Sequence, residues 1–155
     1  MIKKLFLIII CFLSLFITGC NNKKHIDDGT NRIYLSDKYY HKGEFIDTHS
    51  NDINNLNNEN YLLFTNNNYC NLAIPCDEIF QKVMSKYKID ILFIPFEEFK
   101  NTSFYNTVKF APSVLIIKNN EIIEYLDAES NEDLDKYQDE NKFEEWLNNY
   151  IHLDN

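Results

Sequence analysis

Five consecutive residues, Tyr61-Leu62-Leu63-Phe64-Thr65, set the strongest limit on what this chain can fold into. Side chains of a strand alternate between its two faces. A run with no polar face therefore needs cover on both sides, as in a strand buried inside a layered α/β sheet. Ile89 to Pro95 and Ser113-Val114-Leu115-Ile116-Ile117 read the same way. Helices that supply such cover carry an apolar stripe. Cys76, Ile79, Phe80, Val83, Met84 and Tyr87 form one over residues 76–87, with Pro75 suited to its first turn. Phe143, Trp146, Leu147, Tyr150 and Ile151 form another near the end of the chain.

The remaining segments fill in the order. Residues 33–47 are expected to hold one short strand. Ser50 is expected to cap a helix over 51–59 with Ile53 and Leu56 inward, although its many Asn weaken it. A helix is expected over 96–110, with Phe99, Tyr105 and Val108 inward. Asn119-Asn120 suits a hairpin turn, because Asn tolerates positive φ, and 121–126 would be the returning strand. Strand, helix, strand implies a parallel crossover, and the hairpin adds antiparallel pairs. The fold class is α/β, with a mixed central sheet and flanking helices. At 155 residues and 45% hydrophobic, the chain suits one domain, placed at 33–155, plus an appendage.

Charge excludes one class of partner. With 15 Lys+Arg against 24 Asp+Glu, the net charge of −9 offers nucleic acid no basic face. The four His are scattered without metal-ligand spacing, and no zinc site is expected. The acidic run Asp127, Glu129, Glu132, Asp133, Asp135, Asp139, Glu140 lacks the mid-loop Gly of a calcium hand and reads as a solvated face. Neither metal nor cofactor is expected, and the domain is read as a monomer.

The first twenty residues read as an address. Lys3 and Lys4 precede an apolar run from Leu5 to Phe16, too short for a comfortable membrane span. Ile17-Thr18-Gly19-Cys20 then resembles the bacterial lipobox. That resemblance implies a signal peptide over 1–19, cleavage before Cys20, and acylation of the Cys20 thiol. Residues 20–32 become a lipidated N-terminus and polar tether. Loss of Lys3 and Lys4 takes the charge from −9 to −11. Two acyl chains bind membrane lipid firmly, so the expected location is the extracytoplasmic face of the cell membrane.

From about residue 45 to 151 the order of elements resembles the thioredoxin-like superfamily, a three-layer sandwich. Cys70 lies between a buried strand and a helix, where that family keeps its reactive thiol. Ala111-Pro112-Ser113 opens the terminal hairpin, where the family has a cis-proline facing the thiol and the substrate. Leader and domain together look like the small thioredoxin-like lipoproteins of low-GC Gram-positive bacteria. The chain departs from the family's Cys-x-x-Cys: here the stretch is Cys70-Asn71-Leu72-Ala73-Ile74-Pro75-Cys76.

The resemblance implies thiol-disulfide exchange with protein clients. A thiol at a helix N-terminus gains from the orphan N–H groups there, while Asp77 and Glu78 oppose a thiolate. A fully helical 70–76 would separate the two Cys by about 9 Å, beyond the roughly 7 Å that a disulfide tolerates between Cα atoms. Pairing therefore needs a loop before Pro75. Cys70 would attack, Cys76 would resolve, and Pro112 would bind the substrate backbone. A static extracellular disulfide, inert thiols, and a non-enzymatic surface module remain open beside this reading.

Overall fold

A computed structural model describes residues 31–67 and 74–154. The segment expected to be a signal peptide, Cys20, almost all of the expected tether, and Cys70 lie outside the described residues.

The sheet has five strands: β1 (Phe45–Asp47), β2 (Asn60–Asn66), β3 (Ile91–Pro95), β4 (Ser113–Lys118) and β5 (Glu121–Tyr125). Their spatial order is β1-β3-β2-β4-β5. β3 runs parallel to both β1 and β2, whereas β4 is antiparallel to β2 and β5. The α/β class and the mixed sheet agree with the pattern of apolar runs. The three residues of β1 are the one strand within 33–47.

β2 and β4 occupy the middle, and Tyr61 to Thr65 and Ser113 to Ile117 are buried at every position. One face of β2 meets helix α2 (Cys76–Tyr87), where the rings of Phe64 and Phe80 lie 5.3 Å apart. The last helix, α4 (Glu140–Tyr150), packs beside it, with Phe80 and Phe143 at 4.2 Å. Asp139 caps α4, accepting from the N–H groups of Asn141 (2.8 Å) and Lys142 (3.3 Å). Ile151, placed in the helical stripe by sequence, is instead extended at the C-cap, where it bridges to Ile33.

Two expected helices are shorter than their sequence windows. The 51–59 segment yields a single turn, α1 (Ser50–Ile53), preceded by His49 rather than capped by Ser50. The Ser50 N–H donates instead to the Glu98 carboxylate at 3.1 Å. Ile53 is nonetheless buried. The 96–110 window breaks into α3 (Phe96–Phe99) and a 3-10 turn over Ser103–Asn106. The cause is local: the Thr102 hydroxyl donates to the Phe99 carbonyl at 2.8 Å, competing with the helical ladder. Phe99 and Val108 are still buried, and Tyr105 is half-buried.

The turns obey their residues. Asn119 and Asn120 both take positive φ, 50° and 66°, and close the β4–β5 hairpin. Pro75 precedes α2 in an extended conformation instead of sitting within its first turn. Gly43, with φ 78°, lies against the last turns of α2. A Cβ there would collide with the Met84 carbonyl and stand 2.8 Å from Ser85 Cα. The Asp90 carboxylate, buried beside it, accepts from the N–H groups of Lys42 (3.2 Å), Gly43 (2.7 Å) and Glu44 (2.9 Å).

Candidate functional site

The parallel strands β1, β2 and β3 end along one edge of the sheet, the edge from which β4 starts. In α/β sheets this carboxyl edge is where crevices form. β2 carries the chain through Thr65 and Asn66 toward the segment holding Cys70. Across from Thr65, Ser113 is its register partner, so Pro112 stands beside the point where β2 ends. The Ala111–Pro112 peptide is cis, as the family resemblance implies.

Cys76 opens α2 and is 1% exposed, part of the apolar core with Ile79 and Phe80. Its place on the buried stripe agrees with the sequence pattern. Asp77 and Glu78, next in the first turn, are exposed. The structure thus brings Cys76 and Pro112 to one sheet end.

A third residue joins them, from within the acidic run but not singled out by the sequence. Tyr137 ends a 3-10 turn over Leu134–Tyr137 and is buried. Its hydroxyl donates toward the carbonyls of Pro112 (2.8 Å) and Leu126 (2.9 Å). Its ring lies 6.0 Å from that of Phe80. Burial raises the Tyr137 phenol above its ordinary value, a hydrogen bond with the Ser113 side chain works against it, and Asp133, Cys76 and Asp127 add to the rise. The signal was the lone aromatic in the acidic run, with no periodicity to mark it.

The acidic run itself is folded. The Asp133 carboxylate accepts from Asp127 N–H at 2.8 Å and pairs with Lys136 at 2.6 Å. Asp127 in turn accepts from Glu129 N–H at 2.9 Å. Among the described residues, no group of three or more His, Cys, Asp or Glu is placed to hold a metal ion.

Apolar side chains stand out around this edge. Ile74, two residues before Cys76, is 44% exposed, and Phe110, two before Pro112, is 47% exposed. Leu134, three before Tyr137, is 47% exposed. The same sheet end also carries a pair that sequence gave no reason to join: His49 Nδ1 lies 3.0 Å from Glu98 Oε1. Hydrogen bonding to Glu98 raises the His49 imidazole above its ordinary value. The Ser50 N–H, then His49, lower Glu98.

Compared with known proteins, the sequence matches no family model and no curated protein. No described helix is long and apolar enough to cross a membrane.

Proposed function

We propose that this chain is a membrane-anchored, extracytoplasmic lipoprotein with a thioredoxin-like domain, exchanging thiols and disulfides with protein clients through Cys70 and Cys76. The observation that carries this reading is that Cys76, at the start of α2, and Pro112, just before β4, lie at the same end of the sheet, where β2 finishes. The strand order β1-β3-β2-β4-β5 supports the family resemblance. The exposed Ile74 and Phe110 support an apolar polypeptide as client.

In the proposed reaction the Cys70 thiolate attacks one sulfur of a client disulfide, and the other client sulfur leaves as a thiolate. The Cys76 thiolate then attacks Cys70 in the mixed disulfide and releases the second client thiolate. Two electrons pass to the client, and a Cys70–Cys76 disulfide remains for a thiol reductant to reset. Pro112 holds the client backbone. Acylated Cys20 holds the domain at the membrane lipid.

Cys76 is buried in the core, and this favours a second reading: a surface module whose cysteines are structural. One experiment separates the two. Cys76→Ala and Cys70→Ala are expressed in their native compartment and recovered without reduction. Exchange chemistry traps mixed disulfides in Cys76→Ala and none in Cys70→Ala. Equal capture by both, or none by Cys76→Ala, rejects it. A static disulfide instead costs each variant at most about 2–3 kcal/mol of stability, with no clients gained.

A further inference from the structure

Pro112 is only useful as a backbone dock if the strand start that carries it is held still. The group that holds it is the Tyr137 side chain. The Tyr137 hydroxyl has one proton and lies within hydrogen-bond distance of two carbonyls, Pro112 at 2.8 Å and Leu126 at 2.9 Å. Pro112 immediately precedes β4, and Leu126 immediately follows β5. The ring beneath packs on Phe80, one turn along α2 from Cys76. One side chain therefore ties together the start of β4, the end of β5 and the first turn of α2.

We infer that Tyr137 is a positioning residue: its hydrogen bond to the inward-facing Pro112 carbonyl fixes where the Ala111–Pro112 segment, on which a polypeptide client would dock, stands relative to Cys76. This rests on the exchange reading above. Several features suit the role. The phenol is raised by burial, so it stays a donor through the physiological range. The segment bearing it is itself pinned, by Asp133 to Asp127 N–H and to Lys136. The acidic run thus folds into a bracket for the site.

Tyr137→Phe keeps the ring and removes the proton, leaving two carbonyls without their donor. Two measurements on the otherwise unaltered chain test it. The first is amide hydrogen exchange. Ser113 and Leu126 should exchange at least about tenfold faster, while Leu92 and Ile94 in β3 stay unchanged. The second is turnover with two probes. For insulin, with dithiothreitol as electron source, KM should rise about three- to tenfold with kcat retained, the size of one lost hydrogen bond. For 5,5′-dithiobis(2-nitrobenzoate), which has no backbone to dock, the single-turnover rate of the reduced protein should stay within about twofold. Tyr150→Phe, which loses a phenol–Glu124 bond of 3.0 Å elsewhere, should match the wild type in both assays.

Parallel losses with both probes would mark Tyr137 as merely structural and overturn the inference, as would unchanged exchange at Ser113. Wild-type protein inactive on insulin, or full insulin activity in Cys70→Ala, would overturn the exchange reading beneath it and the docking role with it.

Discussion

The two ends of the sheet differ in what their side chains meet. At the amino end of the parallel strands, polar groups close on one another. Asp90 gathers three backbone N–H groups, and Asn60 donates from its side-chain amide to the Tyr34 carbonyl at 2.8 Å. Tyr40 donates to the His152 carbonyl at 2.7 Å while accepting Leu35 N–H, and burial pushes its phenol up to about 12. Tyr34 stacks on His152 with ring centres 3.9 Å apart. At the carboxyl end, Ile74 and Phe110 face solvent beside Cys76 and Pro112. The closure is incomplete, since Asn60 Oδ1 and Tyr61 OH are buried there without a hydrogen-bond partner among the described residues, and the carboxyl end has a polar pair of its own in His49 and Glu98.

The contrast breaks first at Asp90. Asp90→Ala leaves three N–H groups at the amino end without their acceptor. A loss of about 2–4 kcal/mol is expected in denaturant unfolding, since charge-assisted bonds to buried donors are among the stronger ones. A loss below 1 kcal/mol, on the order of one ordinary bond, would show that the amino end is not the clamp described here. At the other end, Ile74→Ser with Phe110→Ser should cost less than Asp90→Ala, on the order of 1–2 kcal/mol, because each side chain is only about half buried. The same double variant, placed in the Cys76→Ala background, should capture markedly fewer clients. Undiminished capture would separate the apolar rim from the site.

The smallest effect concerns His49 and Glu98. A base raised on folding stabilises fully below its unfolded value and loses that contribution as pH rises through its folded one. A depressed carboxyl stabilises above its unfolded value and loses the contribution as pH falls through its folded one. Both contributions coexist from about pH 4.5 to about pH 6.5. His49→Gln should therefore lower Tm slightly within that window, with the difference fading on either side. The imidazole is 74% exposed, so the effect is small and weakens with salt. Thermal melts across pH at low and high ionic strength check both points.

Local chemistry made much of the fold legible before any coordinates. The unbroken apolar runs 61–65 and 113–117 marked the central strands, because only cover on both faces tolerates them. The stripe on 76–87 marked α2, and two consecutive Asn marked the hairpin. Legibility stopped where short-range preferences nearly balanced. The window 96–110 had helical spacing, but the Thr102 hydroxyl donates to the Phe99 carbonyl and the helix breaks there. The window 51–59 had an apolar face of two residues, too little to extend a helix beyond one turn.

Local pattern is enough to mark the apolar runs that become buried strands, the stripes of α2 and α4, and the Asn119-Asn120 reversal. The tertiary structure alone decided the strand order, the union of Asp90 with residues 42–44, and the reach of Tyr137 to Pro112. The physical reason is separation along the chain. Asp90 and Gly43 are 47 residues apart, and Tyr137 and Pro112 are 25. Such a bond leaves no periodicity in the sequence, and forms only after packing has already paid the entropy of bringing its ends together.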